Sequence, residues 1–86
     1  MYEDEVRQMF RELTSSHGRL KAVRPAGGNR VTLEFENGTV DRPPLLTCGY
    51  RGTGVDNLRV FLCEAGLDTN ALVGIDESSW GGISVS

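Results

Sequence analysis

Histidine and cysteine, the side chains that most often bind metals or act as nucleophiles, are scarce in this chain. There is one histidine, His17, and two cysteines, Cys48 and Cys63, which lie fifteen positions apart. Because the cysteines form no C-x-x-C pair, the sequence lacks the ligand set of a tetrahedral metal site. We therefore expect no metal and no other cofactor. We also expect both thiols to be free, as in a reducing compartment.

Long hydrophobic runs and an excess of positive charge are also missing. No apolar stretch approaches the ~20 residues that a membrane-spanning helix needs, and no charged-then-apolar leader segment opens the chain. These absences predict a cytoplasmic protein with no membrane partner. The net charge of −3 argues against broad nucleic-acid binding, which relies on a basic surface.

What the chain does contain is the composition of one small globular domain. Hydrophobic residues make up 38% of the 86 positions and charged residues 24%, which is typical of a folded chain rather than a disordered one. We predict a single domain over residues 1–86, with residues 76–86 as a candidate flexible or subunit-contacting tail. Because a core of this size is marginal, we expect a homo-oligomer.

Hydrophobic periodicity predicts an N-terminal helix followed by strands. The helix covers residues 2–16, where five apolar residues follow one face at the 3.6-residue period: Tyr2, Val6, Met9, Phe10 and Leu13. Residues 20–24 predict a short strand. Apolar and polar residues alternate over residues 31–36, which predicts a strand with one face in solvent.

A hairpin turn is predicted directly after the second strand. Asn37-Gly38 is typical of a two-residue type I′ turn, because both residues tolerate a positive φ. That turn would pair Phe35 with Val40 and bring two apolar side chains onto one face. Pro43 and Pro44 should end the returning strand, since neither residue can donate to a ladder.

A second helix is predicted from Thr53 or Gly54 to Ala65, with Thr53 and Asp56 at the spacing of a capping box and Gly66 closing the helix. Residues 72–75 favour either a strand or a packed turn, and residues 83–86 alternate like a short strand. The fold class is therefore α+β. It would comprise an N-terminal helix, an antiparallel hairpin or three-stranded sheet, a second helix after a glycine-rich loop, and a candidate C-terminal strand.

The glycine-rich loop before the second helix is the best candidate for a functional site. A helix that begins directly after such a loop points its free N–H groups and the positive end of its dipole at the loop, which favours an anion. The spacing matches neither the dinucleotide-binding fingerprint nor the P-loop, and no lysine follows it. The candidate ligand-binding residues are Gly49, Tyr50, Arg51, Gly52, Thr53, Gly54 and Trp80.

Each of these residues has a chemical role in the hypothesis. The backbone N–H groups of residues 52–54 would bind the anion, and Arg51 would add a positive charge with two parallel donors. Tyr50 or Trp80 would stack on a base or sugar. The sequence thus predicts a small, non-enzymatic protein that holds a phosphate-bearing ligand, such as a nucleotide or a nucleotide-derived signal, in a sequestering role.

Three other interpretations stay open at this point. The glycines could serve only to turn the chain into the second helix, and Trp80 could pack on the protein itself or on a symmetry mate. The chain could be a protein–protein interaction module or inhibitor, which docks through an edge of the hairpin or through the face of the first helix. An exposed apolar patch around Tyr2, Met9 or Trp80 would favour this interpretation. A small hydrolase that uses Cys48, with or without His17, ranks last because no base or orienting group accompanies the thiol.

Overall fold

Two helices pack on one face of a four-stranded antiparallel sheet, as the α+β pattern predicts. The structure is a computed structural model that describes residues 3–85. The helices are α1 (Glu3–His17) and α2 (Thr53–Glu64), and the strands are β1 (Leu20–Ala26), β2 (Arg30–Phe35), β3 (Val40–Asp41) and β4 (Ile83–Ser84). Short 3₁₀ turns cover Gly27–Asn29 and Thr69–Leu72.

Helix α1 forms where the periodicity predicts it, and its apolar stripe faces the core. Val6 is fully buried, while Met9, Phe10 and Leu13 are partly buried and pack against the core. The predicted first member of the stripe, Tyr2, lies outside the described residues. The acidic side chains of the first turn suit the positive end of the helix dipole.

The sheet has the strand order β3-β2-β1-β4, so the two long strands are central and the two short strands form its edges. Val23, Val31, Leu33 and Phe35 point from β1 and β2 into the core, with an exposed fraction of 2% or less. They meet the buried face of α2, on which Phe61 also contacts Phe10 of α1 edge-on, with ring centroids 5.1 Å apart. Strand β4 pairs with β1 and confirms the predicted C-terminal strand.

The hairpin forms, but the predicted two-residue type I′ turn is wrong, and the register of the strands is shifted by one residue from the predicted one. Phe35 accepts a hydrogen bond from the N–H of Gly38 (3.0 Å) and donates its own N–H to Thr39 (2.9 Å), so the loop has three residues. Only Gly38 takes a positive φ, of 89°, while the Asn37 side chain accepts the N–H of Thr39. A type I′ turn would need a positive φ at both residues, but Asn37 does not take one. Gly38 alone takes the left-handed conformation, as in a three-residue loop with a bulge.

This one-residue shift turns Val40 away from the core. Val40 lies opposite Glu34 rather than Phe35, and 54% of its surface is exposed. Successive residues of a strand face opposite sides of the sheet, so the predicted apolar pair cannot form in this register. The strand then ends at Asp41, before Pro43 and Pro44, as predicted.

Helix α2 differs from the prediction at its start and agrees with it at its end. Gly52 is the N-cap and makes no side-chain hydrogen bond, so the predicted capping box of Thr53 and Asp56 does not form. At the other end, Gly66 donates to Cys63 (3.0 Å) and Leu67 donates to Leu62 (3.1 Å). These two bonds form a Schellman motif, which confirms that Gly66 closes the helix.

The segment after α2 forms a packed turn and no strand over residues 72–75. The 3₁₀ turn that ends at Leu72 is followed by further turns, with Leu72 and Ile75 buried and Val73 exposed. Within residues 3–85, no helix is both long and apolar enough to cross a membrane.

The register of the hairpin is testable with the same substitution at two positions. Val31→Thr places a hydroxyl in the core and should cost about 1–3 kcal/mol of unfolding free energy. Val40→Thr exposes its hydroxyl to solvent and should cost about 0.5 kcal/mol or less. Urea unfolding of both variants measures the difference. If Val40→Thr destabilised the protein as much as Val31→Thr, Val40 would have to face the core and the observed register would be incorrect.

Candidate functional site

The first half of the glycine-rich loop (Thr47–Gly54) is fixed by three backbone hydrogen bonds, one within the loop and two to other segments. Thr47 donates to Gly54 (3.2 Å), Cys48 donates to Asn29 (3.0 Å), and Gly49 donates to Ile75 (2.8 Å). Gly49 has a φ of 83°, which is the left-handed region that favours glycine. The amide of Gly49 is therefore part of the fold and is not available to a ligand.

The other two glycines of the loop are explained by close packing. A Cβ atom on Gly52 would lie 2.8 Å from the Tyr50 ring, and a Cβ atom on Gly54 would overlap the hydroxyl of Thr47. The Thr47 hydroxyl in turn donates to the Tyr50 hydroxyl at 3.2 Å. Tyr50 thus lies across its own loop, although 41% of its surface is exposed. All three glycines have a structural reason to be there.

The beginning of α2 nevertheless leaves backbone donors open. The N–H of Asp56 is bonded to Gly52 (3.2 Å), but the N–H groups of Gly52, Thr53 and Gly54 have no acceptor among residues 3–85, and none of these three residues is buried. Such groups carry the positive end of the helix dipole. These three N–H groups, which we call the α2 amides, are the backbone part of the candidate site and are those named in the sequence prediction; Val55 is fully buried and is not among them.

Two arginines converge on one carboxylate beside the α2 amides. Arg51 Nε lies 3.3 Å from Asp76 Oδ2, and Arg59 Nη2 lies 4.0 Å from the same oxygen. Arg59 also contacts Asp56 Oδ1 at 3.3 Å. The Arg51 side chain is 93% exposed, whereas that of Asp76 is 21% exposed. An anion that approached α2 would therefore meet two guanidinium groups and one fixed carboxylate.

Sequence reasoning missed Arg59 and Asp76. Arg59 follows Asp56 by three residues, so their ion pair on one helix face was predictable from the spacing. The contact with Asp76 depends instead on how residues 73–78 fold back onto the loop, for which the sequence carries no periodic signal. The sequence prediction places Asp76 at the start of a candidate flexible or subunit-contacting tail.

The site lies on the surface and not in a deep cavity. The three concavities described in residues 3–85 lie elsewhere, and none is lined by a loop residue. The largest, of about 550 Å³, lies between the end of α1, the start of β1 and Val85. A ligand at the α2 amides would thus bind in a shallow, solvated position.

Trp80 packs on the protein itself. Its side chain is half-buried against the core, and its backbone N–H donates to the carbonyl oxygen of Glu77 at 3.1 Å. The neighbouring residues 77 and 78 lie next to Gly49, so the segment that carries Trp80 borders the loop. Stacking of Trp80 or Tyr50 on a ligand stays a prediction.

Cys48 lacks the surroundings of a nucleophile. Its thiol is 2% exposed and lies 3.8 Å from the carbonyl oxygen of Arg30, and burial raises the pKa of the thiol above its ordinary value. A reactive cysteine has a lowered pKa instead. His17 packs near Phe35, whereas Cys48 contacts Arg30 at the opposite end of β2. The five residue steps between Arg30 and Phe35 span about 17 Å at ~3.3 Å per residue, so His17 and Cys48 lie far apart. The two residues form no dyad.

The other predicted docking surfaces are small or polar. Met9 is partly buried and packs with Trp80 against the core rather than forming an exposed patch, and Tyr2 is not among the described residues. The hairpin edge is the two-residue strand β3. Both cysteines are free, and no cluster of three metal-ligating side chains occurs in the part of the chain that the structure describes.

Comparison of the chain with models of known protein families, with characterised proteins and with solved structures finds no match.

The close approach of Gly54 to Thr47 is testable by adding a side chain at position 54 and then shortening the side chain at position 47. Gly54→Ala should lower the unfolding free energy by about 1–3 kcal/mol, because the added methyl group overlaps Thr47. The double variant Thr47→Ala/Gly54→Ala removes both the hydroxyl and the methyl group that crowd the new side chain and should recover part of that loss.

Gly81→Ala is the matched control, since a Cβ atom there meets nothing within 4 Å. Its unfolding free energy, measured by urea titration, should stay close to that of the wild type. If Gly54→Ala were as stable as Gly81→Ala, Gly54 could not lie against the Thr47 side chain as described.

Proposed function

We propose that the chain is a non-enzymatic binding protein that holds a phosphate-bearing ligand at the start of α2. The observation that carries the proposal is the convergence of Arg51 and Arg59 beside three N–H groups without an acceptor in residues 3–85. Backbone donors at a helix start and bidentate guanidinium groups are the two main protein contacts of phosphate. The ligand class is a nucleotide or a nucleotide-derived signal, and the role is sequestration.

Asp76 acts in this proposal as an internal occupant of the anion position. Its carboxylate is held by Arg51 and Arg59, which are the groups that a phosphate would use. A phosphate with a charge near −2 attracts the two guanidinium groups more strongly than one carboxylate does, but it must first displace that carboxylate. The site is therefore expected to bind weakly, and removal of the Asp76 charge should strengthen binding.

Tyr50 supplies the contact that would favour a nucleotide over free phosphate. Tyr50 is 41% exposed, and its ring lies against Gly52, the first of the α2 amides. A base placed beside the phosphate position could stack on that exposed part of the ring. Arg51, at 93% exposure, is free to follow the phosphate without disturbing the core.

Titration of charge variants tests the proposal. The probes are inorganic phosphate, purine nucleoside mono- and triphosphates and a cyclic dinucleotide. Binding of each probe is measured from the ¹H–¹⁵N amide shifts of residues 49–56. Arg51→Ala and Arg59→Ala should each weaken binding roughly 3–10-fold, because each removes a charge-assisted contact. Asp76→Asn should strengthen binding several-fold, because it removes the competing carboxylate.

Arg11→Ala is the matched control, since Arg11 is an exposed arginine on α1, away from the loop. Its affinity should equal that of the wild type. The melting temperature of each variant without ligand separates a loss of binding from a loss of fold. If no probe shifted these amides, or if Asp76→Asn bound no more tightly than the wild type, the proposed site would be wrong.

A further inference from the structure

The face of the sheet that points away from the helices is a second surface with a distinct chemistry. Residues 31, 33 and 35 of β2 face the core, so their neighbours face the other way. The pairing of β1, β2 and β3 brings six of these outward residues together: Ala22, Arg24, Arg30, Thr32, Glu34 and Val40. We call this surface the outer sheet face; neither helix packs on it within residues 3–85.

The outer sheet face is basic in a chain that is acidic overall. Arg24, Arg30 and Arg42 lie on it, with Lys21 at its margin, and Glu34 is the only outward acidic residue of β1 and β2. The whole chain has a net charge of −3, so negative charge is concentrated on the remaining surface. Net charge alone, on which the sequence prediction about nucleic acid was based, conceals this separation.

Two of these arginines are held in place by the sheet. Arg42 Nε donates to the Thr32 hydroxyl at 3.2 Å, and Arg30 Nη2 donates to the backbone carbonyl of Arg42 at 2.8 Å. Arg24 lies directly opposite Thr32 on the other side. Arg24 and Arg42 thus flank Thr32 at about 10 Å from each other, which is two strand spacings.

One part of the face is slightly concave and combines apolar with charged side chains. A depression of about 330 Å³ has Ala22 and Val40 among its lining residues, together with Lys21, Arg24 and Glu34. Val40 is 54% exposed and Ala22 is 5% exposed, so Val40 supplies most of the apolar surface there. A partner that fits this surface would carry negative charge for the arginines and small apolar groups for the depression.

Single-stranded nucleic acid fits this surface less well than an acidic protein segment does. Base recognition on an open sheet depends on aromatic side chains that stack, whereas the one aromatic residue of β1 and β2, Phe35, points into the core. A long polyanion would also pass the acidic remainder of a domain whose shorter extents are 24 Å. A short peptide need contact only the basic face.

We propose that the outer sheet face docks an acidic protein segment in which carboxylate side chains alternate with small apolar ones. In an extended segment, alternate side chains point the same way, so carboxylates on one side pair with Arg42 and, in place of Glu34, with Arg24. The apolar residues at the edge of the segment pack over Ala22 and Val40. This interaction does not use Arg51, Arg59 or the α2 amides, so it is independent of the proposed ligand site.

Fluorescence anisotropy with a labelled peptide of about 12 residues, in which glutamate alternates with valine, tests the proposal at ~50 mM and ~300 mM salt. The peptide should bind at low salt and weaken at high salt. Arg24→Gln/Arg42→Gln should weaken binding at least ~10-fold, while Arg11→Gln and Arg51→Gln should leave it unchanged. The amide shifts of Ala22, Thr32 and Glu34 should move, and those of residues 52–54 should not.

A single Arg24→Gln variant keeps the test decisive if the double variant fails to fold, because the Arg24 side chain is 60% exposed. It should weaken binding in the same direction by a smaller factor. An oligothymidylate of about 20 nucleotides serves as the competing probe. The proposal is overturned if that probe binds more tightly than the peptide through the same arginines, or if peptide binding is absent or insensitive to these variants.

Discussion

The hydrogen bond from the Gly49 N–H to the Ile75 carbonyl joins the two parts of the chain on which the candidate site depends. Ile75 is fully buried, so its side chain anchors the segment after α2 in the core while its carbonyl holds the glycine-rich loop. The next residue along the chain is Asp76, which this anchoring brings to Arg51 and Arg59. Without the bond, the loop and the carboxylate would have no fixed relation to each other.

The same anchoring explains why glycines in this loop are not by themselves a sign of a ligand. Gly49 provides the left-handed turn that aims its N–H at Ile75, and Gly54 makes room for Thr47. These contacts position the start of α2 and leave its first donors uncovered. The proposed ligand site therefore depends on the open donors and the paired arginines, whereas the three glycines are explained by the fold.

Charge is distributed unevenly over the domain, and each proposed activity uses a different part of that distribution. At the start of α2, two arginines are balanced by Asp56 and Asp76, so the site is locally neutral and a ligand must compete with an internal carboxylate. Among the described residues of the outer sheet face, Arg24 pairs with the carboxylate of Glu34 at 3.1 Å, whereas Arg30 and Arg42 form no ion pair. A partner of the sheet would therefore meet two unneutralised arginines and would displace Glu34 only at Arg24, whereas a ligand of the α2 site must displace the carboxylate that both of its arginines share.

Local periodicity was enough to predict most of the fold from sequence. The stripe in α1, the alternation in β2 and the glycine after α2 are all signals within a few residues of the structure they specify. The hairpin register could not be predicted in this way, because Asn37-Gly38 is compatible with both a two-residue and a three-residue loop. Choosing between them depends on which turn best satisfies the backbone and the Asn37 side chain.

The candidate site was predictable only in part, for a physical reason. The loop and Arg51 are consecutive in sequence, but Arg59 is brought to Asp76 by packing between residues 17 positions apart. The outer sheet face likewise depends on pairing between strands, which places Arg24 beside Thr32 and Arg42. Contacts of this kind follow from the register and the core, which the sequence pattern alone does not specify.

Hydrogen exchange at single amides, followed by NMR, tests the central claim most directly. The account predicts slow exchange at Gly49, whose N–H is bonded to a buried residue, and fast exchange at Gly52, Thr53 and Gly54. A bound phosphate-bearing ligand should slow exchange at these three amides and leave Gly49 unchanged. Strong protection of all three amides without ligand would contradict the account, since the donors would then already be occupied.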